Sequence, residues 1–474
     1  MPPNSYSELL KKVEFYRHVT EKHNLINPYN KIGKRIIRLC PPPDVRKYWS
    51  LFLETRSSPF LSLYVHVPYC RKTKCRYCMY RSKIIACESE LDDYLDYIEE
   101  EAEFYSAVFD RHPFATVHIG GGTPTLLDEN RLRRLLTIIN GHFSFSPTRT
   151  CTLEIKPSHT TEAQLETALA LGCNRISIGV QSFNRNALEL AHRDHVEIHR
   201  VKKLVDFLYA HDICEINVDL IGGLPGDDPE GFRETFRQAA SLGISTITIY
   251  FFRLENSRYN KKIKARYADY CKSEYTMRFL DALDGVSSEY GYTNITRNPY
   301  SVYQLFVNNN FNLKLERHPT EWFPEKQNSL LGLGIGARSF ILNIVSFINC
   351  GPHGLSLADI SDALEGKPEL YLTKYSMILD SEIERMRDYV LRSFYLAGCV
   401  SLLEFKKSFN KNMYDVFGQE IKSLQSLGKL AADNQYLDML CEGFERAVLM
   451  KFFYDQEELM KLVEKEPVKS YLSF

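Results

Sequence analysis

From about residue 61 to residue 255, short β-branched runs alternate with longer amphipathic stretches. The short runs predict strands over 62–67, 115–119, 151–156, 174–179, 214–219 and 246–251. The longer ones predict helices over 90–109, 126–140, 162–171, 185–210 and 228–242. Each crossover has room for a helix, so the strands are expected to be parallel. Six β/α units predict an α/β fold, a partial (β/α)6 TIM-like barrel in preference to an open doubly wound sheet. Residues 1–60 are polar, with a helical stretch Tyr6–His23 and a proline-rich link Pro41-Pro42-Pro43. They read as an N-terminal extension that wraps the barrel or meets a partner. Residues 256–350 are mixed in pattern and read as a barrel-completing, substrate-covering segment. They hold Asn298-Pro299-Tyr300, an aromatic stretch at Trp322-Phe323 and the glycine-spaced run Gly332–Ala337. Residues 351–474 are mostly helical in pattern, at Ser381–Tyr395, Leu402–Phe409, Met413–Ser426 and 441–453. This predicts a small helical or winged-helix-like domain.

A chain of 474 residues has room for two or three domains, and 44% hydrophobic residues supply a large core. The net charge of −1 gives no case for nucleic acid or an acidic membrane as a partner. The basic run Lys261, Lys262, Lys264, Arg266 reads as a solvated face. Residues 1–30 carry no secretory pattern, and no apolar run is long enough to cross a bilayer. Twelve cysteines spread from Cys40 to Cys441 then argue against a secreted disulfide scaffold and for the reducing cytoplasm.

Three of those cysteines fall within nine residues, Cys70-Arg71-Lys72-Thr73-Lys74-Cys75-Arg76-Tyr77-Cys78, directly after the first strand. Soft thiolates in a tight loop suit zinc or an iron–sulfur cluster. Zinc sites usually add a second ligand pair, and none is evident near this loop. Three ligands leave one position of the metal centre open. Other polar motifs also stand at strand ends, where barrels of this kind keep their working residues. Gly120-Gly121-Gly122-Thr123 follows the second strand and lets a ligand approach the backbone, or simply makes a tight turn. His118, just before it, reads as a packing residue. Glu154 and Lys156 end the third strand. The glutamate can accept hydrogen bonds from a ribose diol or pair with the lysine at the surface. A buried Lys156 can meet a substrate carboxylate, or act as acid or base with a lowered pKa, and is our candidate catalytic residue. Gln181 follows the fourth strand and Asp219 ends the fifth.

The cysteine loop, with Tyr64-Val65-His66 before it and Tyr77 inside it, resembles that of the radical S-adenosylmethionine (SAM) enzymes. Arg175–Phe183, Ala191-His192-Arg193-Asp194-His195 and Asn217–Gly226 carry the likeness further. Together they resemble the oxygen-independent coproporphyrinogen III oxidase-like branch of that family, over roughly residues 60–345. The resemblance implies a [4Fe-4S] cluster held by Cys70, Cys75 and Cys78, whose open iron binds SAM and whose electron cleaves it to a 5′-deoxyadenosyl radical. It also implies two SAM molecules. Tyr64, Gly121, Glu154, a residue near Arg253 and Ala337 would contact the first. Tyr77, Gly122, Thr123, Gln181, Arg193 and Asp219 would contact the second.

The chain departs from that pattern in four places. The cysteine spacing is four then two, where the family's is three then two. Lys156 stands where relatives commonly carry Asp or Asn. Tyr80 stands where the decarboxylases carry an additional cysteine, and the N-terminal segment lacks an arginine-rich pattern for propionates. The expected activity is therefore one-carbon transfer from the second SAM, methylation or cyclopropanation at an sp2 carbon of an aromatic, natural-product or tetrapyrrole substrate. A flavodoxin- or ferredoxin-type protein would supply the electron. Two rivals stand beside it: an enzyme that opens or decarboxylates haem or a porphyrin, with a basic pocket near Lys156, Arg253 or Arg297, and a haem chaperone.

Overall fold

In the computed structural model the described residues are 6–22, 36–40, 42–54, 60–78, 80, 82–213, 215–252, 257–268, 273–301, 303–311, 313, 328–341, 345–349, 374–378, 381–454, 456–457 and 459. The six expected strands form, as β1 Phe60–Val67, β2 Phe114–Gly121, β3 Phe145–Ile155, β4 Arg175–Gln181, β5 Glu215–Gly222 and β6 Thr246–Phe251. They lie side by side in chain order, and every pair among them is parallel. β1 is buried at seven of its eight positions, as a parallel strand covered on both faces must be.

The sheet is longer than six strands. Asn328–Leu333 adds a parallel strand beside β1, pairing Gly332 with Tyr64. Arg338–Ile341, Val345–Asn349, Lys374–Ile378 and Ile36–Cys40 then continue that edge antiparallel. Tyr303–Asn308 and Tyr292–Asn294 extend the other edge beyond β6, also antiparallel. Among the described residues the result is an open thirteen-stranded sheet around a mostly parallel centre, the incomplete barrel of an α/β fold.

Local chemistry sets most helix starts. Asp128 caps Glu129–His142, Thr161 and Gln164 make a reciprocal capping box at Glu162–Ala170, and Asp228 precedes Pro229 at the start of Pro229–Ala240. Two expectations are corrected. The stretch 185–210 is two helices, Arg185–Leu190 and Ile198–Ala210. His192 takes a left-handed φ of 53°, which ends the first helix and throws Arg193 and Asp194 into a loop. The proline-rich link is also the opening of a helix, Pro42–Glu54, because proline's missing N–H costs nothing in a first turn. Its Trp49 packs edge-on against Phe109 in the barrel core. Pro41, Trp322-Phe323 and Arg253 lie outside the described residues.

Helices Glu382–Ala397, Leu402–Phe409 and Met413–Ser426 pack on a small antiparallel sheet of Cys399–Ser401, Tyr436–Met439 and Leu430–Ala432. This is the winged-helix-like arrangement expected of the C-terminal region. The helix Tyr6–Lys22 joins it, burying Leu9, Tyr16 and Val19 in the same apolar cluster. Among the described residues, no helix is long and apolar enough to cross a membrane.

Candidate active site

β1 runs into Tyr69-Cys70, which pairs with Lys83-Ile84 and fixes the start of the cysteine loop. Arg71, Lys72 and Thr73 are exposed, so the additional residue of the four-residue spacing is taken up on the outer side. Cys70, Cys75 and Cys78 are half-buried free thiols. A turn closes between Cys75 O and Cys78 N at 3.1 Å. The loop leans on the segment after Arg185–Leu190: Arg76 N donates to Ala191 O at 2.9 Å, Arg76 Nη1 to Leu190 O at 3.1 Å, and Thr73 Oγ1 to His192 O at 3.2 Å. Burial, with the neighbouring thiols of Cys75 and Cys70 adding to it, pushes the Cys78 thiol up to about 11. Among the described residues no three His, Cys, Asp or Glu side chains stand at the spacing of a metal centre. The fit of this loop to a cluster rests on its donors, three soft thiols outside any disulfide on one nine-residue loop beside a guanidinium.

Gly121 and Gly122 sit where the neighbouring backbone leaves no room for a side chain. A Cβ on Gly122 would lie 2.4 Å from the Tyr69 carbonyl oxygen, and one on Gly121, at φ +119°, would lie 2.9 Å from the Val67 backbone. A Cβ on Gly120 would meet the Glu154 carboxylate at 2.7 Å. Thr123 is buried, and its hydroxyl donates to Gly122 O at 2.8 Å.

Glu154 Oε1 lies 2.6 Å from His118 Nε2. The His118 ring is 5.8 Å from that of Tyr64, whose hydroxyl is 2.8 Å from His66 Nδ1. Tyr64 and Ala337 share one small apolar cluster with Leu330 and Phe340. The sequence brings these together only through the strand Asn328–Leu333 beside β1. His118, read as packing, is a hydrogen-bonding partner of the site carboxylate.

On the next strands Gln181 adopts φ +74°, uncommon for a residue with a side chain, at a register slip between β4 and β5. A Cβ on Gly179 would lie 3.0 Å from Gln181 Nε2 and 3.4 Å from Arg193 Nη2, so these three converge. Arg193 donates to Gly179 O and points Nη1 at Cys75 Sγ, 3.9 Å away. Tyr77 packs beside Ala191, Ile221 and Phe252, and burial raises its phenol well above the ordinary range. Asp219 accepts from Ser177 Oγ at 2.8 Å and Asn217 Nδ2 at 2.9 Å. Burial, helped by the charge of Glu154, still pushes its carboxyl up to about 6.

Lys156 Nζ bonds Asp194 Oδ2 at 2.6 Å. Burial alone would raise the Asp194 carboxyl, but the bond to Lys156 holds it below the ordinary value. Arg297, a candidate for propionates, is engaged by Asp433 and Asp438 at 2.5 and 2.8 Å. Sequence reasoning missed Arg258, whose Nη2 donates to Cys75 O at 2.8 Å and Cys78 O at 3.2 Å. It lies about 180 positions from the loop it touches, with no local motif to mark it.

Residues 64–239 match the Radical SAM superfamily. The oxygen-independent coproporphyrinogen III oxidase of Salmonella typhimurium is 29% identical over 291 residues, 59% of this chain and 61% of that protein. The chain thus spans about three fifths of the length of that relative. The heme chaperone HemW of Lactococcus lactis is 27% identical over 403 residues, 83% of this chain and 97% of that protein. The solved coproporphyrinogen III oxidase (HemN) from Escherichia coli, described as a radical SAM enzyme, superposes with a TM-score of 0.67 at 22% identity. That superposition covers 86% of this chain and 93% of the other, and shows a shared fold.

Proposed function

We propose, from the radical SAM domain that this chain carries over residues 64–239, an enzyme that cleaves SAM reductively and acts on a tetrapyrrole-type small molecule. The observation that carries the proposal is the gathering of Cys75, Arg193, Gln181, Glu154 and Asp219 at the C-terminal ends of adjacent parallel strands and their loops. Cys70, Cys75 and Cys78 would hold a [4Fe-4S] cluster, which when bound supplies the electron for SAM cleavage.

The chain's own residues do the binding and orienting. Gly121 and Gly122 let their strand end pack closely on the Val67 and Tyr69 backbone, shaping the edge at which the amino end of SAM would sit. Glu154, steadied by His118, and the Tyr64–Ala337 cluster support the reading of one SAM shelf. Gln181, Arg193 and Asp219, with Tyr77, Gly122 and Thr123, support the reading of a second. Asp219 accepts two hydrogen bonds and can receive a ribose hydroxyl. Lys156, bonded to Asp194, positions the loop that carries Arg193 in this reading.

The sequence expectation of methylation or cyclopropanation yields to tetrapyrrole chemistry, because the matching relatives are named for coproporphyrinogen oxidation and haem handling. A small electron-transfer protein of flavodoxin or ferredoxin type and a cytoplasmic setting belong to the same proposal. The test is anaerobic reconstitution with iron and sulfide, then SAM and dithionite, with and without coproporphyrinogen III or haem. We expect 5′-deoxyadenosine formation that needs Cys75 and rises with the tetrapyrrole. Methyl-deuterated SAM returning deuterium to 5′-deoxyadenosine would restore one-carbon transfer. A haem chaperone is the second reading, favoured by the 97% span of the Lactococcus lactis protein. Stoichiometric haem binding without substrate-dependent cleavage would establish it.

A further inference from the structure

The cysteine loop is held from a side that its own sequence does not announce. Ser257 and Tyr259 are buried on either side of Arg258, and Tyr259 packs edge-on against Phe252 at 5.5 Å. This pins the backbone from which Arg258 rises. Arg258 N donates to Arg76 O at 2.7 Å, joining the segment to the middle of the loop. The side chain then crosses the loop. Nη2 donates to Cys75 O at 2.8 Å and to Cys78 O at 3.2 Å. Cys75 O already accepts from Cys78 N at 3.1 Å, so both of its lone pairs are used. Two of the three candidate cluster ligands therefore have their backbone carbonyls held by one cation. Charge-assisted hydrogen bonds of this kind are stronger than neutral ones.

We infer that Arg258 is a positioning residue for the cluster loop, clamping the Cys75–Cys78 turn and lending positive charge that favours the reduced cluster. The inference rests on the radical SAM reading. Its physical basis is general: nearby charge, hydrogen bonding and solvent exposure set the reduction potential of an iron–sulfur cluster. A clamp on the turn also limits how far two thiolates separate when the loop breathes, which slows loss of iron. The wider cysteine spacing gives the loop one more residue to hold, and Thr73 and Arg258 restrain it at two separate points.

The test compares full-length wild type, Arg258→Ala and Arg258→Lys, each reconstituted anaerobically. The readouts are iron and sulfide per chain, the rate of iron loss to a ferrous chelator, and the midpoint potential from a redox titration followed by electron paramagnetic resonance. Arg258→Ala should lose iron about tenfold faster, as expected for removing a charged hydrogen bond at a partly solvated site, and its potential should be more negative. Arg258→Lys keeps the charge and should recover the potential. An alanine variant equal to wild type in both readouts overturns the inference, as does a lysine variant as negative as the alanine one. Should Arg258→Ala fail to fold, Arg258→Gln takes its place, and equal potentials for the glutamine and lysine variants overturn the inference. Wild type that retains no cluster overturns the radical SAM reading itself, an outcome distinct from the others.

Discussion

Lys156, at the end of the third barrel strand, holds Asp194 at 2.6 Å, and Asp194 is the neighbour of Arg193, which reaches Cys75. The pair is a strut between the end of β3 and the loop that follows Arg185–Leu190. It is also partly solvated, with Asp194 42% exposed, so its worth in stability is small, roughly 0.5 kcal/mol. We expect Lys156→Ala and Asp194→Ala to lower SAM cleavage by similar factors, and the double variant to add little. Lys156→Arg should recover most of the loss. Loss of all turnover in the lysine variant alone, with Asp194→Ala active, would assign Lys156 a proton-transfer role.

Asp219 gives a pH dependence whose sign can be worked out. Its carboxyl is raised from the ordinary 3.8 to about 6, chiefly by burial and then by Glu154. The fold therefore favours the protonated form. That contribution is fully present below the unfolded pKa and is lost as pH rises through about 6. The difference is worth roughly 3 kcal/mol at about 1.4 kcal/mol for each pH unit. Asp219→Asn removes it. Measured by urea unfolding without SAM, the variant should gain on the wild type from about pH 4 to about pH 6 and level off above it. A constant difference across that range would show that Asp219 is not strained by burial.

The glycines separate backbone need from mere flexibility. Gly122→Ala forces a Cβ to within 2.4 Å of a carbonyl oxygen on Tyr69, so the loop below the cysteines must move. We expect a loss of about 2 kcal/mol or more, together with loss of SAM binding. Gly120→Ala first meets the Glu154 carboxylate, which can swing aside and surrender its bond to His118. That variant should fold and bind SAM more weakly. Gly141 lies in a helix with nothing within 4 Å of an added Cβ, and Gly141→Ala should be neutral or stabilise by up to about 1 kcal/mol. Calorimetry and equilibrium dialysis with SAM rank the three.

The barrel was legible because a parallel strand buried on both faces is written as a continuous apolar run, as in Leu61–Val67. Its crossover helices mark their own starts with caps such as Thr161 and Asp228. The cysteine loop, the glycines and Glu154 were legible for the same reason: each is a local motif at the end of a legible strand, whereas the fifth strand runs three residues past Asp219, to Gly222. What the chain hides is contact at long range. Asp194 lies 38 positions beyond Lys156, and Arg258 lies 183 beyond Cys75, so neither partner can be inferred from neighbours. The amphipathic pattern of 185–210 likewise runs on through the break at His192, because periodicity records which face is apolar and not where one residue turns left-handed.

Docking of the C-terminal region can be tested through Arg446, which is 2% exposed. Its guanidinium donates to Cys441 O at 2.8 Å, Phe394 O at 2.8 Å, Tyr395 O at 3.2 Å and Tyr300 O. Tyr300 belongs to the segment next to the barrel edge, and the other three carbonyls belong to the winged-helix-like region. Asn298 joins the same seam, donating to Gly398 O at 2.9 Å and Met439 O at 3.2 Å. Arg446→Met keeps the side-chain length but leaves these acceptors without their donor, at a cost of about 3 kcal/mol or more. Arg297 crosses the same seam at its rim, 38% exposed, and Arg297→Ala should cost no more than about 1 kcal/mol. Hydrogen exchange distinguishes a fixed seam from a mobile lid. For a fixed seam, Arg446→Met should raise exchange in Glu382–Ala397 and Tyr303–Asn308 together while β1–β5 stay protected. Were the region a lid, those segments would already exchange freely in the wild type, and Arg446→Met would change little.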